Sequence, residues 1–151
     1  MKKALFSLAL MATMFASTAF AGPVGNSFSN EENIGLNVIS GMTGKGPYSS
    51  VVSNFVPDMA KKYTEQAHKE SAANIVKEVG NISDVKLAGA TRVYNDRMVY
   101  QSDRLVFIGK SDKVGLVGVD MVFVPSGNQM KIAAVGFRPV EIKAAAPQQA
   151  R

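Results

Sequence analysis

The feature that most constrains this chain is a change of hydrophobic period at Ile82. Before it, apolar residues recur at helical spacing; after it they alternate, as strands with one buried face require. Four alternating runs follow, over residues 83–94, 97–109, 114–124 and 130–140. The turn signals between them are Asn95-Asp96, Lys110-Ser111-Asp112 and Pro125-Ser126-Gly127-Asn128. Connections this short force neighbouring strands to run antiparallel. Helices segregated before such a meander define an α+β domain, with three N-terminal helices and then a four-stranded antiparallel sheet.

The first helix is expected to start at an Asn30 N-cap, with Glu31 and Glu32 in its first turn and Ile34, Val38, Ile39 and Met42 along one face. The stretch Gly44-Lys45-Gly46-Pro47 breaks it; the remainder of a phosphate-loop pattern is lacking, so a helix break is the simpler reading. A second helix carries Val51, Val52, Phe55, Val56 and Met59 until Pro57 interrupts its hydrogen bonding. A third opens at Thr64 as N-cap, pairs Glu65 with Lys69 four residues on, buries Ala72, Ile75, Val76 and Val79, and ends at Gly80.

The N-terminus has the form of a secretory signal. Lys2 and Lys3 supply the charge, residues 4–16 the apolar run, and Ala19-Phe20-Ala21 the small residues that a signal peptidase reads. Cleavage before Gly22 would leave 130 of the 151 residues, enough for one domain with its own core. The apolar run is too short for a hydrocarbon core, so no stable membrane anchor is expected after cleavage, and the product belongs in the periplasm or outside the cell. The expected division is a signal at 1–21, a lead-in at 22–29, the α+β domain at 30–142 and a loose tail at 143–151.

The chain contains no Cys, which excludes thiol chemistry, Cys-ligated metal and a Cys-linked lipid anchor, and its single histidine, His68, excludes a multi-His metal site. No cofactor is therefore expected. Removing Lys2 and Lys3 leaves 15 basic against 12 acidic residues, scattered along the chain, so nucleic acid is not an expected partner. His68 lies off the stripe of the third helix and reads as an ordinary solvated histidine; Asp96, Asp103 and Asp112 read as turn aspartates.

The order of helices and then four long strands resembles the cystatin-like and nuclear-transport-factor-two-like superfamily, and more narrowly its small secreted bacterial domains of unknown function. The residues that carry the resemblance are Phe55-Val56-Pro57-Asp58-Met59, Thr64-Glu65-Gln66, Val79-Gly80-Asn81-Ile82, Met130-Lys131-Ile132 and Gly136-Phe137-Arg138-Pro139. The match spans about residues 33–142, and no motif in it is catalytic. It implies a sheet curved around the helices into a cone, a hollow that admits ligands, and in many members a second subunit covering the sheet.

The turns give a strand register in which Tyr94 faces Arg97, Gly109 faces Lys113, and Val124 faces Met130. One sheet face then carries Leu105, Phe107, Val117, Val119, Met121, Phe123, Val135 and Phe137, and belongs to the helices. The other mixes Tyr100, Ser102, Arg104, Asp120 and Arg138 with Met98, Val106, Ile108, Leu116, Gly118, Val122, Ile132 and Ala134, too apolar to face water freely. Asp120 needs a partner in such a strand, and this register sets it opposite Ser102 and diagonal to Tyr100 and Arg104. Those three, Tyr100, Arg104 and Asp120, are the candidate ligand-binding residues, with a structural ion pair at a sheet interface as the plainer reading.

Two functions follow as expectations. The first is an exported, non-enzymatic domain that binds a small ligand or partner protein, with a homodimer through the mixed face. The alternative is a small cavity enzyme of isomerase, dehydratase or hydrolase type, using Asp120 as acid or base and Tyr100 or Arg104 to polarise the substrate.

Overall fold

The computed structural model describes residues 28–141. The expected signal, most of the lead-in and the tail lie outside the described residues. The domain is α+β, with helices α1 (Ser29–Ser40), α2 (Tyr48–Val52), α3 (Pro57–Lys62) and α4 (Glu65–Val79), then strands β1 (Ile82–Tyr94), β2 (Tyr100–Ser111), β3 (Gly115–Ser126) and β4 (Gln129–Pro139). The strands form one antiparallel sheet in the order β1-β2-β3-β4, the meander that the short turns require.

The helical part departs from three simple helices. Asn30 is not the cap: α1 already includes Ser29, and Phe28 stands at the cap position without a side-chain bond. The helix continues as a π-helical turn, Gly41–Lys45, that packs against α4. The expected second helix is two short ones, because Pro57 begins α3 instead of ending a helix. Between them Asn54 and Val56 stitch onto the sheet: Ile132 N donates to Asn54 O at 2.8 Å, and Val56 N donates to Ile132 O at 2.9 Å. This occupies backbone groups of β4, an edge strand, that would otherwise template another chain.

Helix α4 has the expected ends. Thr64 Oγ1 accepts from Ala67 N at 3.1 Å, and Gly80 takes φ +80°, a backbone open to glycine. Its buried face is rotated from the expected stripe. Val79 is buried and Ile75 packs partly against the core, but Val76 is 38% exposed and His68 replaces it inside at 9%. His68, Ala72, Ile75 and Val79 are spaced i, i+4, i+7, i+11, an equally regular helical face. His68 is therefore buried rather than solvated. Tyr63 Oη lies 3.1 Å from its Nδ1, and both Tyr48 and Tyr63 meet its ring edge-on.

The core lies between α1 and the helix-facing side of the sheet. Val38, Ile39, Met42, Val51, Phe55 and Val79 meet Leu105, Phe107, Val117, Val119, Met121 and Phe123, all buried. The face assignment for these strand residues stands, although the pairing differs at all three turns. Asn95 Oδ1 accepts from Arg97 N and Val99 N, both at 2.9 Å, so a wide loop replaces a two-residue turn and Tyr94 faces Tyr100. Gly109 faces Val117 instead of Lys113, a slip of four that preserves the faces. In β4 a tight turn pairs Ser126 with Gln129, and a bulge at Ala133 places both Ile132 and Val135 on the helix side. Ile132 thus belongs to the core, not to the outer face.

Candidate functional site

The expected trio does not assemble. Asp120 faces Val106 and Gly136, not Ser102, because the β2–β3 pairing is shifted by four residues. Its cation is Arg138, whose Nε donates to Asp120 Oδ2 at 2.7 Å. Arg104, opposite Val122, stays on the same outer face and diagonal to Asp120. Tyr100 sits on the helix side of the sheet, where the β2 start meets α1. The geometry separates Tyr100 from the other two, and Asp120 lines neither cleft described below.

Around Tyr100 the structure gathers groups that the sequence left apart. Asp103 is 1% exposed within β2. It faces Arg92 of β1, whose Nε donates to Asp103 Oδ1 at 3.1 Å. Arg92 is further held by ring faces, its guanidinium carbon lying 5.1 Å from the centre of Phe28 and 5.6 Å from that of Tyr100. The hydrogen bond and charge of Asp103 hold the Arg92 guanidinium above its ordinary value. Tyr94 meets Tyr100 edge to face at 6.1 Å. From α1, Glu31 closes the group at 7% exposure.

Tyr100 is the hinge of this arrangement. Its hydroxyl reaches Met130 Sδ at 3.7 Å, across to the start of β4. Burial, followed by the charge of Asp103 and a hydrogen bond with it, pushes its phenol up to about 12. The phenol is therefore a neutral hydrogen-bonding group at ordinary pH.

Two adjoining clefts open here. One of about 360 Å³ is lined by Glu31, Arg92, Tyr94, Tyr100, Asp103 and Met130. The other, of about 580 Å³, shares Tyr100 and Met130 and extends to Asn30, Ile34, Asn54 and the β3–β4 turn at Asn128 and Gln129. Both fall in the size range of small-molecule sites. Among the described residues no group of three or more His, Asp or Glu side chains could hold a metal ion, and no helix is long and apolar enough to cross a membrane.

Two signals for this site were present in the sequence. Asp103 has the parity of Leu105 and Phe107, so alternation alone put it on the helix side; reading it as a turn aspartate was wrong because β2 begins three residues before it. Glu31 falls at i−4 from Gly35 and i−7 from Val38, on the buried face of α1. Arg92 required the β1 register, which three irregularities in its pairing with β2 conceal. Comparison with protein-family models, curated proteins and solved structures gives no match, so the site rests on its own geometry.

Proposed function

We propose that this chain is an exported, non-enzymatic domain of the cystatin-like or nuclear-transport-factor-two-like architecture, its sheet curved around the helices, which binds a small ligand in the cleft around Tyr100. The observation that carries this reading is Asp103, a carboxylate 1% exposed beside an open cleft. A buried charge costs several kcal/mol unless paired, and an apolar residue there would pack on Leu105 without that cost. Polar groups converging on a concave, partly apolar wall are what a binding site requires. The export reading rests on the signal at residues 1–21, with the periplasm or the exterior as destination. The test is mass spectrometry of small molecules released from the purified native protein. A stoichiometric compound lost in Tyr100→Ala supports the reading, and release of none from protein that also fails to bind a fragment library rejects it.

A second reading concerns the outer sheet face, where a homodimer contact is favoured by Asp120. Its Oδ1 is buried and accepts no hydrogen bond among the described residues, while Val106, Ile108, Leu116 and Val122 around it are only half-buried. A partner surface would supply the missing donor and cover those side chains. Sedimentation at tens of micromolar distinguishes the dimer from a monomer.

A further inference from the structure

We infer that the ligand of the Tyr100 cleft is a neutral saccharide, its hydroxyl groups met by the carboxamide residues Asn30, Asn54, Asn128 and Gln129. This rests on the cleft being a ligand site, as proposed above. Those four residues line the larger cleft, of about 580 Å³, and no Lys, Arg, His, Asp or Glu is among the described residues that line it. They converge from separate parts of the chain: Asn30 from α1, Asn54 from the α2–α3 connection, Asn128 from the β3–β4 turn and Gln129 from the start of β4. The rest of the wall is Tyr100 with Ile34, Pro125 and Met130, and Gly127 of the turn.

Hydroxyl chemistry fits this wall better than an ion does. A sugar hydroxyl both donates and accepts, and a carboxamide does the same, with two N–H groups and an acceptor oxygen. A charged ligand would give up its hydration here with no opposite charge to replace it. The ion pair of the adjoining cleft does not alter this, because Arg92 and Asp103 are bonded to each other. Tyr100 adds no charge either, since its phenol keeps its proton at ordinary pH. Between its hydroxyls a pyranose presents patches of C–H, and the Tyr100 ring, Ile34, Pro125 and Met130 form an apolar surface for them.

The wall is also set before a ligand arrives. Asn54 Nδ2 donates to Ser50 O at 2.7 Å, which uses one of its N–H groups and none of the acceptor capacity of Oδ1. Gln129 is fixed by its pairing with Ser126 across the tight turn. Asn30, Asn128 and Gln129 are exposed, so their amides meet water that a sugar hydroxyl replaces in kind. A peptide adding as a strand would need the edge of β4, and beside this cleft that edge is taken at Ile132 by Asn54 and Val56.

The experiment is nuclear magnetic resonance titration of the methionine-labelled protein with maltose, cellobiose and N,N′-diacetylchitobiose at millimolar concentrations. Glucosamine, glucuronate and tetraglycine serve as cationic, anionic and peptide comparisons. At least one neutral saccharide should shift the Met130 methyl saturably, with Met98 unmoved, and should bind more tightly than either charged sugar. The double variant Asn30→Ala with Asn128→Ala should weaken that binding about fivefold or more, the scale of one or two neutral hydrogen bonds. Both residues are exposed, so its urea midpoint should stay close to that of the unmodified protein. Failure of all three saccharides to bind, binding that leaves Met130 unmoved, or equal affinity in the folded double variant overturns the inference. Preferential binding of a charged sugar or of tetraglycine in the cleft also overturns it, while leaving the cleft a ligand site. A ligand of another class released from native protein and lost in Tyr100→Ala would likewise reject the saccharide and keep the broader reading.

Discussion

Removing Arg92 should harm this protein more than removing Asp103, although the two form one ion pair. The side chains differ in access to water, Arg92 being 40% and Asp103 2% exposed. In Arg92→Ala the carboxylate loses its guanidinium and cannot reach solvent, so the cost should be about 3 kcal/mol, the low end for breaking a buried pair because Tyr100 still lies beside it. In Asp103→Asn the guanidinium can turn to water and keep its ring contacts, so the loss is about 1.5 kcal/mol, that of one hydrogen bond to a charged group. Urea denaturation followed by circular dichroism resolves the difference: at a slope of about 1.5 kcal/mol/M the midpoints should fall by about 2 M and about 1 M. Replacing both, as Arg92→Met with Asp103→Leu, should restore most of the stability, since an apolar pair has no desolvation to offset. Equal losses, a larger loss for Asp103→Asn, or additive effects in the double variant would refute the claim that Asp103 is a sequestered charge dependent on Arg92.

Three further outcomes follow from particular contacts. Gly35→Ala should destabilise by about 1 to 3 kcal/mol in the same titration despite its better helix propensity, because the added Cβ would lie 2.4 Å from Phe107 Cζ. Val79→Ala should cost about 2 kcal/mol and Val76→Ala less than about 0.5, the reverse of nothing in composition but the consequence of which side of α4 is buried; similar losses would mean that the helix is rotated otherwise. The Tyr100 phenol, with its folded value near 12 against an ordinary 10.0, keeps its proton where the unfolded chain has lost it. Stability should therefore fall as pH rises across that interval, and ultraviolet titration should show a phenolate step near pH 12 that Tyr100→Phe removes.

The alternation of Leu105 and Phe107, and of Val117, Val119, Met121 and Phe123, was enough to orient the sheet, because period two survives any even slip in pairing. The partners of Asp120 were not, since they depend on the absolute register. Three turn details decide that register: the side-chain bonds of Asn95, the length of the β2–β3 connection, and the bulge at Ala133. None of these has a local hydrophobic signature. The outcome gives Asp120 a hydrogen-bonded partner, Arg138, that the expected register did not supply; their side chains are 34% and 47% exposed, so little stability is expected from the pair. His68 shows a different limit. A histidine beside Lys69 and Glu70 reads as surface until Tyr48 and Tyr63 are brought over it by the α2–α3 turn, which the sequence presents as one continuous helix.

The central claim, that the cleft around Tyr100 is a ligand site, is tested most directly by methyl nuclear magnetic resonance of the methionine-labelled protein during titration with small-molecule mixtures. Met130 lines both clefts, whereas Met98, 77% exposed in the β1–β2 loop, lines neither and serves as the internal control. The account predicts a saturable shift of the Met130 methyl with Met98 unmoved, abolished by Tyr100→Ala. A Met130 resonance that stays fixed through every mixture, or moves only together with Met98, would contradict it.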